Sequence, residues 1–191
     1  MILGISGGRL NGNTDVLVKA ALEECEKEGF ETKFLNLSTK DINPCKACGA
    51  CSTGPSCVQR DDMDEIIPML TEAGGIIIGS PTYFSNVSSR ISMLFERSVP
   101  LRRQGFQLAG KVGGAIAVGA SRNGGQEYVV ATIQRWFTLH GGIVVGDSAP
   151  TAHFGGIGVG HALGETKDDK DGQETSRNLG KNMAALLKKI E

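Results

Sequence analysis

The chain has almost no excess charge of either sign: 20 Lys and Arg stand against 21 Asp and Glu, a formal net charge of -1. No basic run is present. A nucleic-acid partner calls for a concentrated positive face, so that class is set aside. No apolar stretch is long enough to span a bilayer, and no charged segment followed by an apolar one opens the chain. No membrane association is expected, and a cytoplasmic, reducing compartment is. Internal repeats and low-complexity tracts are missing. So are the motifs of several common chemistries. There is no Gly-Lys-Ser/Thr of a P-loop. No H-x-E or H-E-x-x-H pattern surrounds His140, His153 or His161, and no paired carboxylates or catalytic triad stand out. His140 falls at a predicted helix end, where it would serve the dipole. Cysteine is nearly absent outside one stretch: Cys25 is the single thiol beyond it.

That stretch holds Cys45, Cys48, Cys51 and Cys57, four thiols in 13 residues spaced C-x2-C-x2-C-x5-C. Thiolates held together repel unless a cation neutralises them, and they are soft ligands. Two centres satisfy this crowding: tetrahedral zinc and an iron–sulfur cube. Structural zinc sites usually draw ligand pairs from separated segments. Three cysteines in immediate succession favour a [4Fe–4S] cluster, with Cys57 completing the set because no second cysteine set exists. Ala47, Gly49 and Ala50 are small enough to leave space for sulfide. Zinc stays open as the alternative, and a disulfide pair is disfavoured.

At 191 residues the chain suits one domain with a sizeable core. Met1 to Ser6 reads as a buried strand, followed by a polar glycine-rich turn and a helix from about Thr14 to Lys27, with Asn13 or Thr14 as N-cap. Phe30 to Leu37 reads as a second strand. The cysteine loop occupies about 38–62, and a helix of about Asp61 to Ala73 follows, its acidic first turn capping a solvated face. Further strands are expected at Gly75–Gly79, Val112–Gly119 and Ile143–Gly146. Helices are expected from Ser88 or Ser89 to Arg97, at about Glu127–His140 and at Gly172–Ile190. Val99 to Lys111 reads as a basic connector, and Phe154 to Gly160, within a glycine-rich extension at about 150–171, as irregular chain that could reach a neighbouring subunit.

The first turn has the makings of an anion site. A helix N-terminus offers unpaired N–H groups and a positive dipole end, and glycines allow close approach. Ser6, Gly7, Gly8, Arg9, Asn11, Asn13 and Thr14 are its candidate contacts. The dinucleotide fingerprint is broken at Gly4-Ile5-Ser6, and the second strand ends in Asn36, Leu37 and Ser38 rather than an acid. A hydroxyl-rich loop suits a monophosphate such as FMN; an ordinary glycine-rich turn is the competing account. The loop after the third strand, with Pro81, Thr82, Tyr83, Phe84 and Asn86, stands where a flavin ring would lie, its backbone hydrogen-bonding the ring and its aromatics covering it, although core packing or a subunit contact would equally account for either aromatic. The loop Ser121, Arg122, Asn123, Gly124, Gly125 and Gln126 leaves the fourth strand at the same sheet edge. Ligands of open parallel sheets bind at that edge.

Taken together, Ser6-Gly7-Gly8-Arg9 through Thr14, Pro44 to Cys51 with Cys57, Asp61 to Ile66, Ser80 to Phe84 and Ser121 to Glu127 resemble the iron–sulfur flavoproteins of anaerobic microbes, within the NADPH-dependent FMN reductase-like group. The resemblance spans nearly the whole chain. One departure is Gly8-Arg9 where many relatives carry Pro-Arg. The resemblance implies a flavodoxin-like fold, a five-stranded parallel sheet of order 2-1-3-4-5 with helices on both faces. It also implies FMN, one [4Fe–4S] cluster per subunit, and dimers assembled into tetramers in which a flavin lies near the neighbour's cluster. The expected function is electron transfer from a one-electron donor such as ferredoxin to cluster and flavin, with dioxygen or peroxide among acceptors. Two rivals remain: an NAD(P)H-dependent flavin or quinone reductase whose cysteines hold a structural metal, and a redox sensor.

Overall fold

The structure is a computed structural model that describes residues 1–190. Alternation of side chains along its buried strands builds a two-faced sheet. The strands are β1 (Ile2–Ser6), β2 (Thr32–Asn36), β3 (Gly75–Pro81), β4 (Val112–Gly119), β5 (Ile143–Val145) and β6 (Gly156–Val159). The helices are α1 (Asn13–Lys27), α2 (Met63–Glu72), α3 (Ser89–Arg97), α4 (Val99–Arg103), α5 (Gln126–Leu139) and α6 (Lys170–Ile190). All strand pairs are parallel, and the order is β2-β1-β3-β4-β5 as expected for a flavodoxin-like sheet.

Leu3 and Ile5, Ile76 and Ile78, and Ala115 and Ala117 point to one face, where Ile66, Leu70, Ile91, Leu94, Ile133 and Phe137 of α2, α3 and α5 cover them. Ile2, Ile77, Ile116 and Val118 point to the other, against Leu17, Val18 and Leu22 of α1 and Leu179, Met183 and Leu187 of α6. No helix among the described residues is long and apolar enough to cross a membrane.

A sixth strand replaces the irregular segment expected at Phe154 to Gly160. β5 pairs with Val112–Gly114 and β6 with Ile116–Gly119, so the two are successive parts of one edge along β4. The glycines misled because they serve packing here rather than turning. A Cβ on Gly156 would stand 2.6 Å from Ser176 Oγ, and one on Gly158 2.4 Å from Leu17 Cδ1. Only bare backbone lets β6 lie between α1 and α6.

Smaller differences have local causes. The N-cap of α1 is Gly12, without a side-chain cap. Asn13 is unavailable because its amide holds a distant segment, donating to Ala162 O at 2.8 Å and accepting from Thr166 N at 3.2 Å. The basic connector contains α4, started by Pro100 in its first turn. α6 begins at Lys170, two residues before the expected Gly172.

His140 is not a cation for the dipole of α5. The residue is 4 % exposed. Nε2 lies 3.2 Å from Ser98 Oγ, which also accepts from Trp136 Nε1 at 2.9 Å, and Nδ1 has no partner. Burial first, and Arg102 second, push its pKa down to about 4. A free imidazole titrates near 6.5, so the unfolded chain binds the extra proton first and stability declines as pH falls from about 6.5 through 4. In urea unfolding across that window, the protein should lose up to about 3 kcal/mol beyond whatever His140→Gln loses. A slope identical in both proteins would contradict the assignment.

Candidate cofactor cleft and cysteine loop

Because the strands run parallel, the loops after β1, β2, β3, β4 and β6 all leave at one edge. Three of them, with the end of β6, enclose a cleft of about 310 Å³. The first loop contributes Gly8 and Arg9, and the start of α1 contributes Asn13 and Thr14. Ser6 and Gly7 lie behind this wall: Ser6 Oγ accepts from Gly8 N at 3.2 Å, and Gly7 N donates to Gly79 O at 2.8 Å. Asn11 turns away, its N–H donating to Asp15 Oδ2 at 2.7 Å, and it lines a separate cleft with Lys19 and Arg177.

The loop after β3 supplies Pro81, Thr82 and Tyr83 to the same cleft. Thr82 N donates to Val118 O at 2.8 Å, while its Oγ1 is buried without a partner. Tyr83 and Asn86 exchange backbone hydrogen bonds of 3.0 and 2.9 Å, so the tip is a closed turn. Phe84 and Ser85 take positive φ there (49° and 59°), which leaves Phe84 fully exposed and Tyr83 on the cleft wall. Neither aromatic packs in the core. Asn86 Oδ1 accepts from Val87 N and stays within its own turn.

The third loop departs from expectation. Gly119 and Ala120 reach the cleft, but Arg122, Asn123 and Gln126 line a neighbouring cleft of about 470 Å³ with Thr151, His153 and Asp169. Ser121 O holds Gln126 Nε2 at 2.8 Å, and Gly125 lies so close to Ser85 that a Cβ would meet its Oγ at 2.3 Å. The loop therefore braces the β3 loop instead of lining the first cleft. The place expected for it is taken by Gly160 and His161 at the end of β6, where Gly160 N donates to Gly119 O at 2.9 Å. Recognising β6 as a strand would have placed both residues. His161 rides on a strap whose N–H groups, His161 and Ala162, donate to Glu165 at 2.6 and 2.7 Å and hold that carboxyl below its usual pKa.

The cysteine loop follows β2 and is clamped where it begins and ends. Asp61 is not on a solvated helix face: its side chain is 2 % exposed and that of Arg97 1 %. Arg97 Nη1 and Nη2 reach the two Asp61 oxygens at 2.5 and 3.0 Å, and Nη1 also donates to Asn43 O at 2.8 Å. Asp61 in turn accepts from Asn43 N at 3.0 Å and Met63 N at 3.1 Å. Burial alone would raise its pKa, but the guanidinium and these donors hold it well below the carboxylate range. Cys45 and Cys48 are exposed, and Cys51 and Cys57 half-buried. As placed, no three His, Cys, Asp or Glu side chains form a ready metal cage among the described residues. Cys25 is a different thiol, buried against Gly180 O and pushed up to about 12 by burial, with nearby Glu24 and Glu26 adding to the shift.

The family model described as NADPH-dependent FMN reductase matches residues 1–156. The whole chain is 53% identical over 191 residues to 98% of an iron–sulfur flavoprotein of Methanocaldococcus jannaschii. It is 44% identical over 191 residues to 96% of the iron–sulfur flavoprotein of Methanosarcina thermophila. The chain belongs to the iron–sulfur flavoproteins of the FMN reductase family. That membership sets it among flavin-dependent oxidoreductases. Among solved structures, the WrbA-like flavodoxin-fold protein of Agrobacterium tumefaciens matches with a TM-score of 0.68 over 100% of this chain and 98% of that one at 19% identity. A flavodoxin from the domain Archaea matches at 0.62 over 98% and 99%, also at 19% identity. These two likenesses concern the fold.

The residues of this iron–sulfur flavoprotein fit both prosthetic groups. For FMN, the orphaned Thr82 Oγ1 on the cleft wall calls for a hydrogen-bond partner. At the other end of the cleft, a Cβ on Gly8 would stand 2.8 Å from Thr14 Oγ1 and fill the cradle at the start of α1. For a cluster, the fit lies in the donor set: four thiols on one loop are the chemistry such a centre requires. Ala47 and Gly49, both at positive φ (51° and 76°), provide the chain reversals between successive thiols.

The clamp is directly testable. Asp61→Asn leaves the Arg97 cation buried and unneutralised, which should cost about 3–5 kcal/mol in urea unfolding. Limited proteolysis within 44–60 should accelerate at the same time. The depressed Asp61 pKa means the clamp holds above the unfolded value near 3.8 and is released as pH falls through its lower folded value. Loss of the loop's proteolytic protection well above pH 4 would argue against it.

Proposed function

We propose that this iron–sulfur flavoprotein carries electrons between a one-electron donor such as ferredoxin, a [4Fe–4S] cluster on Cys45, Cys48, Cys51 and Cys57, and FMN in the three-loop cleft. The observation that carries the reading is the common sheet edge: the loop bearing the four thiols starts there, as do the loops around the cleft. When bound, a cluster handles single electrons and a flavin one or two, so the pair joins one-electron donors to two-electron reductions.

The chain's own residues have distinct tasks in this reading. Gly8, Arg9, Thr14 and the first N–H groups of α1 hold the phosphate. Pro81, Thr82 and Tyr83 flank the ring, Thr82 Oγ1 donating or accepting one hydrogen bond. Gly119, Ala120 and His161 form the opposite wall. Ser6 and Gly7 support the first loop from behind, Asn13 ties the segment after His161 to the start of α1, and the Ser121–Gln126 loop braces the loop after β3. The protein binds and orients; no acid–base pair is called upon.

Within one chain the two sites lie at opposite ends of α3. Ser88, before its first turn, donates to Gly7 O at 3.0 Å, whereas Arg97, in its last turn, grips the cysteine loop. Eight helical steps separate Ser89 from Arg97, about 12 Å. Self-association as a dimer or tetramer shortens the path by setting a neighbour's cysteine loop at the cleft, and the exposed Phe84 beside Tyr83 offers apolar surface for it. Exposed Lys46 and Arg60 in the cysteine loop, with exposed Arg103 beside Cys51, suit the acidic face of a ferredoxin. Dioxygen or peroxide are the proposed acceptors. A second reading, NAD(P)H-dependent reduction with the thiols on a structural metal, draws on the family description alone.

Anaerobically isolated protein should contain about four iron and four sulfide per chain. Stopped-flow reduction by reduced ferredoxin should outpace reduction by NADPH. Stoichiometric zinc with rapid NADPH oxidation would replace the first reading with the second. Thr82→Val should weaken FMN binding about tenfold, the worth of one buried hydrogen bond, as read by fluorescence titration; unchanged affinity would remove Thr82 from the site.

A further inference from the structure

The last turn of α3 and the end of α4 address three of the four cysteines. Glu96 accepts from Cys45 N at 3.0 Å, and Arg103 Nη1 donates to Cys51 Sγ at 3.0 Å. Arg97 shares an apolar cavity of about 200 Å³ with Cys57. Both terminal nitrogens of Arg97 are engaged by Asp61 and Asn43, yet its Nε is buried without a partner. A buried N–H donor beside a thiol and an empty hydrogen-bond slot is an unusual arrangement in a folded chain. Asp61 neutralises Arg97, so Arg97 offers a directed donor and little net field. Arg103 is exposed and unpaired by any carboxylate in the structure's described ion pairs, so it brings a donor together with positive charge.

We propose that Arg97 and Arg103 are positioning residues for the cysteine centre, donating to the sulfurs of Cys57 and Cys51 and setting how readily the assembled centre takes up an electron. The inference rests on the thiol-held centre proposed above. Four thiolates around one centre accumulate negative charge, and reduction adds one more. Hydrogen bonds and cationic charge at the sulfurs favour both assembly and the reduced state. Glu96 plays the complementary part by fixing the backbone at Cys45, while Cys48 stays at the exposed side.

The test uses the holoprotein in an anaerobic redox titration followed by electron paramagnetic resonance, and the apoprotein in a titration with Co²⁺ followed by its sulfur-to-cobalt absorption. Arg103→Gln should make the reduction equilibrium about tenfold less favourable, about 59 mV for a one-electron couple. Arg103→Lys should recover part of that, because it keeps the charge and loses the planar fork. Arg97→Lys should weaken Co²⁺ binding by about tenfold, one hydrogen bond to a charged sulfur. If the single change unfolds the chain, Arg97→Met combined with Asp61→Leu removes the donor while replacing the buried ion pair by apolar groups. Arg102→Gln, next in sequence but stacked on Phe106 instead of a sulfur, should leave both readings within twofold. Wild-type values in the Arg97 and Arg103 variants, or an equal shift in Arg102→Gln, overturn the arginine assignment alone. A wild-type chain that shows neither iron nor the cobalt–sulfur band overturns the thiol-held centre as well.

Discussion

Parallel strand pairing is the constraint on which this architecture depends. Once β1, β2, β3 and β4 run the same way, each must be followed by a loop that starts at the same sheet edge and by a return along a face of the sheet. The chain uses that edge for everything chemical. Three loops build a cleft, and the fourth carries the thiols. The faces are occupied by apolar packing of α1 and α6 on one side and α2, α3 and α5 on the other. A rigid sheet thus holds short loops whose backbone donors and glycines are free to meet a ligand.

The long loop after β2 needs more than a sheet to keep its place. Few side chains in it are apolar, so its ends are held by polar contacts instead. The Asp61–Arg97 pair sits between them and ties Asn43, Asp61 and Met63 to the end of α3. A buried pair of this kind gives little net stability against an apolar alternative, but it fixes a single geometry and strongly penalises loss of one partner. Polar anchoring suits a loop that must stay ordered while exposing sulfur.

Much of this was legible in the residues. Apolar runs such as Ile76-Ile77-Ile78 announced buried parallel strands, and the cysteine spacing announced a single ligand set. α1 and α5 close at Lys27 and Leu139, within a residue of the ends expected, with Gly29 and Gly141 at positive φ just beyond them. Other features stayed hidden because their causes are distant in sequence. Gly156 to Val159 has the composition of a loop, yet Ser176 and Leu17 demand bare backbone there. Asn13 has the profile of a phosphate contact or N-cap, yet Ala162 and Thr166 take its amide. Asp61 and His140 look like surface charges on helix ends and are both buried by neighbours that no local window contains.

By itself, then, the order of residues determined the kind of sheet, the position of its loops and the donor atoms available, because periodicity, turn residues and thiol spacing act over a few positions. Only the tertiary structure decided which of those donors face the cleft. Arg122 and Gln126 were displaced from it by the end of β6, and His161 was brought in. The physical reason is that hydrogen-bond partners and close packing are chosen among residues from some 20 to about 150 positions apart, where sequence neighbourhood carries no information about distance.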